Sequence, residues 1–164
     1  MYKLLFLAIA CCFCTVKISA QKEYTREYYD NGILKAKGWK IGTTKTDYWF
    51  HYHQNGAIAE QGGYKNNQKE GYWYFHSQNQ KLSKEGHFKN NKAESWWIIY
   101  DIHTLNNKNR IIKKYQYQGN KKNGYGLLYK NNILFKAEKY INDQKIAEWT
   151  DVYSFKKDNP SASL

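Results

Sequence analysis

Several groups of side chains in this sequence have the types and spacings that chemistry requires. His51 and His53 lie two residues apart in a run of strand formers. Alternation puts both on one face, where they supply two metal ligands if a neighbouring strand supplies a third. The next similar segment carries Phe75 and Ser77 in those places, so no ladder of ligands forms and structural or surface histidines are the simpler reading. Asp101 and His103 form an Asp-x-His. A dyad of that kind needs a nearby nucleophile and a water-excluding pocket, and the sequence shows neither. Glu60, Glu70, Glu85 and Glu94 are scattered among lysines, with no sign of a paired general acid and base. Phosphate-binding glycine loops and nucleophile elbows are absent. The chain is therefore expected not to be an enzyme and to hold neither cofactor nor metal.

The three cysteines, Cys11, Cys12 and Cys14, all fall within residues 1–20. That stretch has Lys3, then an uncharged apolar run from Leu4 to Val16, then Ile18-Ser19-Ala20 before Gln21. A short basic start, an apolar run too short to span a bilayer comfortably and a small residue before the break predict a secretory signal. Cleavage is expected after Ala20, with lipidation at Cys11 as the alternative. The product of the first is cysteine-free, 144 residues long, and has its charge reduced from +12 to +10 by loss of Lys3 and Lys17. The expected location is periplasmic, outer-membrane-associated or extracellular.

A chain of this length suits one domain or one short array. Its charge and low mean hydropathy argue against a multi-span membrane protein. The positive charge is almost all lysine, spread over the chain, with Arg26 and Arg110 the only arginines. Specific base and phosphate recognition favours arginine forks, so nucleic acid is not the expected partner. An acidic protein, an anionic lipid or a glycan suits the excess better.

The elements that position all these groups come from a repeat. Trp49, Trp73 and Trp97 are 24 residues apart, and so are Gly38, Gly62 and Gly86. Asn31, Asn55 and Asn79 keep the same interval, as do Leu34, Ile58 and Leu82. After an insertion of about five residues near 101–109 the pattern resumes: Gly124-Tyr125-Gly126 matches Gly71-Tyr72-Trp73, and Trp149 follows 23 residues after Gly126. Aromatic and β-branched runs alternate with Asn-rich turns, which predicts consecutive β-hairpins. Asn31-Gly32 and Asn55-Gly56 are read as type I′ turns. Alternation places Trp73 and Phe75 on one face and Tyr72, Tyr74 and His76 on the other. The expected fold is all-β: an elongated single-layer antiparallel meander of about ten strands over residues 21–155, with aromatic rings lying over neighbouring glycines. Residues 156–164 match no unit and are expected to form a flexible tail.

With its columns aligned, the chain resembles MORN-type repeat proteins in their bacterial variant. The matching elements are Lys69-Glu-Gly71-Tyr72-Trp73, then Asn79-x-x-Leu82, then Glu85-Gly86-x-Phe88-Lys-Asn-Asn. The likeness covers roughly residues 24–153 and departs from the pattern at Gly126, Glu138 and the insertion. It implies a single-layer sheet of hairpins with Gly38, Gly62, Gly71, Gly86 and Gly124 as structural glycines. Functionally it implies binding: some bacterial relatives are antitoxins of the YwqK type, and other MORN arrays are linked to membrane lipids and protein scaffolding. Export argues against neutralising a cytoplasmic toxin.

A single layer cannot bury both its faces, so aromatic area must stay accessible. Trp49, Trp73, Trp97, Trp149, Tyr72 and Tyr74 are the candidate binding residues. The expected role is an exported scaffold that binds protein or an envelope component. Antitoxin-like binding and a salt-sensitive membrane adaptor are the alternatives.

Overall fold

Asn-rich tight turns and alternating aromatic runs give eleven strands in the computed structural model, which describes residues 20–103 and 110–162. They are β1 (Lys22–Tyr28), β2 (Leu34–Ile41), β3 (Thr44–Tyr52), β4 (Ile58–Lys65), β5 (Gln68–His76) and β6 (Leu82–Lys89). The chain continues through β7 (Lys92–Tyr100), β8 (Ile111–Gln118), β9 (Lys121–Lys130), β10 (Ile133–Ile141) and β11 (Gln144–Trp149) to a short helix, α1 (Val152–Asp158). Each strand pairs antiparallel with the next, so the sheet is one open meander in chain order. At about 4.8 Å per step it is roughly 48 Å across. The expected signal segment lies outside the described residues except for Ala20, as do residues 104–109 of the insertion.

The columns read from the sequence are physical neighbours. Gly38 carries the Trp49 ring, Gly62 faces Trp73 and Gly86 faces Trp97 across adjacent strands. A Cβ on Gly62 would lie 2.3 Å from Trp73 Cδ2, inside any tolerable contact, so glycine is required for the ring to lie flat on the backbone. The indole N–H of Trp73 donates to the Gly63 carbonyl at 3.0 Å, and that of Trp97 donates to the His87 carbonyl at 3.2 Å.

The ring reaches its glycine because each Trp strand is bulged. Gly62 and Gly63 are adjacent, while their partners Trp73 and Glu70 are three apart, so β5 holds two extra residues there. Asp47, Gly71, Ser95 and Gly124 occupy that bulge in successive units, all with positive φ. Gly71 and Gly124 are thus bulge residues, which relieves the strain that Asp47 and Ser95 carry at the same place.

The fourth unit departs in an ordered way. Tyr115 on β8 stands where glycine is expected, and Gly126 on β9 stands where tryptophan is expected. The two exchange roles, and the Tyr115 ring covers Gly126. In β11 the bulge shortens: Lys139 and Tyr140 pair with Ala147 and Lys145, which are only two apart. Losing one bulge residue inverts the strand. Trp149 therefore pairs with Ala137, on the face opposite Trp49, Trp73 and Trp97, and Glu138 needs no space for a ring above it.

Two expectations need correction. The turns at Asn31-Gly32 and Asn55-Gly56 are not type I′, because only the glycines have positive φ. Gly32 N–H donates to the Tyr29 carbonyl and Tyr29 N–H to the Ile33 carbonyl, which makes a three-residue loop ending in a glycine bulge. Both central residues have positive φ at Asn66-Asn67, Asn90-Asn91, Asn131-Asn132 and Asn142-Asp143 instead. The tail from 156 is not flexible as a whole, since its first three residues complete α1. Asp151 caps the helix, accepting from Ser154 N–H at 2.8 Å, and Phe155 is buried against Leu127, Ala137 and Trp149. The ring that inversion put on the bare face is what this helix covers.

Replacing Gly62 by Ala is expected to cost at least about 2 kcal/mol in urea unfolding, through the forced clash with Trp73. Phe155→Ala is expected to cost about 3 kcal/mol; an unchanged midpoint would mean that the helix does not pack in solution.

Candidate functional site

The bulges and the strand alternation divide the side chains between two faces. On the indole face, Trp49, Tyr64, Trp73, Phe88, Trp97 and Tyr117 form one continuous spine. Successive ring centroids are 6.1, 5.1, 6.1, 4.9 and 6.0 Å apart, and the first four contacts are nearly perpendicular, the arrangement ring quadrupoles favour. Lysines seal the spine: Lys45 Nζ sits 4.2 Å from the Trp49 ring, Lys69 4.1 Å from Trp73 and Lys122 3.9 Å from Tyr115. Carboxylates hold two of them, with Lys69–Glu60 at 2.6 Å and Lys45–Glu27 at 3.5 Å. Burial pushes the Tyr64 hydroxyl up to about 12.

Trp49 and Trp73 are fully buried beneath this layer and Trp97 is 5% exposed. They are structural rings, so the sequence's grouping of Trp49, Trp73, Trp97 and Trp149 with Tyr72 and Tyr74 as one binding face does not hold. Trp149 is half-buried under α1 on the other side.

The opposite, tyrosine face is the open one. Tyr24, Trp39, Tyr48 and Tyr72 are 42, 37, 42 and 39% exposed, and all four lie on it. They meet neighbouring rings at steep angles, as Tyr24–Trp39, Tyr48–Phe50 and Tyr72–Tyr74 with centroids 5.2, 5.2 and 5.1 Å apart. Lys22 lies over Trp39, Arg26 over Tyr24, and Lys37 over Phe50 and Tyr52. Helix α1 covers only the β9–β11 end of this face. Tyr24, Trp39 and Tyr48 were missed as a group, although counting alternation outward from Tyr72 and allowing for the bulges would have found them.

Asparagines tie the edges. Asn67 Oδ1 accepts from Lys45 N–H and Asn91 Oδ1 from Lys69 N–H, both at 2.6 Å, while the turn N–H groups donate back to the same residues. Asn120 does the same for Ala93, and Asp143 for Lys122. Each turn is thus clamped to the preceding hairpin.

The other sequence candidates do not assemble into a site. His51 contacts Tyr64 Oη through Nε2 at 3.3 Å, and His53 Nε2 lies 3.0 Å from the His76 carbonyl. Asp101 Oδ1 accepts from His103 N–H in a local turn. Among the described residues no group of three or more His, Cys, Asp and Glu side chains is placed to hold a metal ion.

Burial lowers the affinity of His51 and His76 for protons, and His76 Nδ1 is buried with no hydrogen-bond partner. The unfolded chain then binds more protons than the folded one below the ordinary histidine range. Their stabilisation is present above about pH 6.5 and is lost as pH falls through the lower folded values. Melting temperature is expected to fall between pH 7 and 5. His51→Phe, which copies Phe75 of the next unit, should flatten that fall.

No protein-family model matches this sequence, and no curated protein matches it.

Proposed function

We propose that the chain is a non-enzymatic binding scaffold that engages a protein, or another component of the cell envelope, through its tyrosine face. The observation that carries this reading is the row Tyr24, Trp39, Tyr48 and Tyr72, held open on a sheet whose other face buries Trp49 and Trp73 under its own lysines. Tyrosine and tryptophan give large, rigid contact area at low entropic cost, and they are enriched where proteins meet. Arg26 and Lys37 beside the row favour an acidic partner surface, while Lys22 is paired with Asp47 at 2.9 Å. The signal-like N-terminus supports placing this activity outside the cytoplasm, and the hairpin repeat agrees with the MORN-type resemblance. The antitoxin-like alternative requires a cytoplasmic protein and rests on that resemblance alone.

The test compares the wild type with Tyr48→Thr/Tyr72→Thr by cross-linking in an envelope fraction. Threonine keeps the strand, so the melting temperature should change little. The cross-linked partner is expected to disappear with the variant and to persist in the wild type. Unchanged cross-linking would exclude the tyrosine face as the contact. Binding to anionic liposomes that fades with salt, with no protein cross-linked, would point to a membrane adaptor instead.

A further inference from the structure

The lysine layer on the indole face has one gap. The sealing position is Lys45, Lys69, Ala93 and Lys122 in successive units. Where Lys69 covers Trp73, Phe75 and Phe88 at 4.1, 5.0 and 5.5 Å, alanine leaves no lysine over their counterparts, so Ile99 and Tyr117 stay half-buried beside the buried Trp97 ring. The result is an open cleft of about 260 Å³, floored by Phe88, Trp97, Ile99 and Tyr117.

The charge at its rim is inverted in the same unit. Glu60, which holds Lys69, is replaced 24 residues later by Lys84. A cationic guest taking the missing lysine's place would meet Lys84 where the earlier unit offers a carboxylate. Lys84 is exposed and lies 4.6 Å from the Phe75 ring. Lys113, paired with Ile99 through the β7–β8 neighbour Lys84 shares, faces the same side. Among the described residues neither lysine has a carboxylate within ion-pair distance, whereas Lys45, Lys69, Lys136 and Lys145 all do. An apolar floor under an uncompensated basic rim complements one chemistry: an apolar group with carboxylates beside it.

We infer that this cleft is a second binding site, on the face opposite the tyrosine row, for an acidic protein segment that inserts an aromatic or aliphatic side chain between Phe88, Ile99 and Tyr117, above Ala93, and sets flanking carboxylates against Lys84 and Lys113. The inference stands independently of the tyrosine face. The preceding unit shows the same backbone in its closed form, so the gap reflects side-chain choice alone.

The test titrates the 15N-labelled protein with acetylated, amidated Glu-Phe-Glu, using Gln-Phe-Gln and Glu-Ala-Glu as controls. Shifts are expected at the Ala93 and Ile99 amides, the Trp97 indole and Tyr117, with the acidic phenylalanine peptide alone, and should weaken from low to high salt. Lys84→Glu/Ala93→Lys rebuilds the Glu60–Lys69 arrangement. It should fold as stably as the wild type and bind at least about tenfold more weakly. Lys84→Gln, which keeps the cleft and removes one charge, should lie between the two. The inference is overturned by an absence of shifts at millimolar peptide, by shifts confined to Tyr48 and Tyr72, by equal binding of the glutamine peptide, or by undiminished binding to the double variant.

Discussion

The contact on which this fold depends is an aromatic ring laid on a glycine of the neighbouring strand. A sheet without a second layer has no opposing surface to exclude water from its backbone. Here the rings do that from within the layer. Each buried indole hides peptide backbone, spends its N–H on a carbonyl beside the bulge and meets the next ring edge to face. At Trp49 and Trp73 a lysine stem and ammonium then cover the ring's remaining side. The combination is a core one side chain thick, and it explains how a chain so poor in aliphatic residues can still bury its largest side chains completely.

The glycine and tryptophan columns were legible because each pairs a residue that must be small with one that must be large, at a fixed interval. The hairpin meander followed directly, and its eleven strands lie in the order in which the sequence presents them. The turn types were less legible. Asn-Gly serves both the two-residue hairpin and the three-residue loop, and the outcome depends on how many residues the flanking strands leave between them. The position of Trp149 was the hardest to read. Its spacing looks like a trivial one-residue loss, but in a strand one residue is a change of face. Helix α1 was obscured because it belongs to no repeat, and the inverted Trp149 completes the apolar surface that Leu127 and Ala137 offer to Phe155.

The two faces divide the molecule's tasks. Lys45 and Lys69 on the indole face are committed both to rings and to carboxylates, so they contribute less to the outward field than the formal charge suggests. On the tyrosine face Tyr24, Trp39, Tyr48 and Tyr72 stay exposed, even where Lys22 and Arg26 lie over two of the rings. The same residue types therefore act as structure on one side and as accessible surface on the other, with alternation as the only difference between them.

The bulge also governs how such a chain can change length. Between β7 and β8 ten residues, 101–110, replace the five that join β3 to β4 or β5 to β6, and the columns beyond resume on the correct faces. Loops absorb any number of residues, since they carry no parity. A strand that gains or loses one residue at its bulge instead turns its entire complement of side chains over and needs a new element to cover what emerges. In an array of this kind, drift in length is thus harmless at the hairpin ends and decisive within the strands, so a terminal cap can arise from a single deletion.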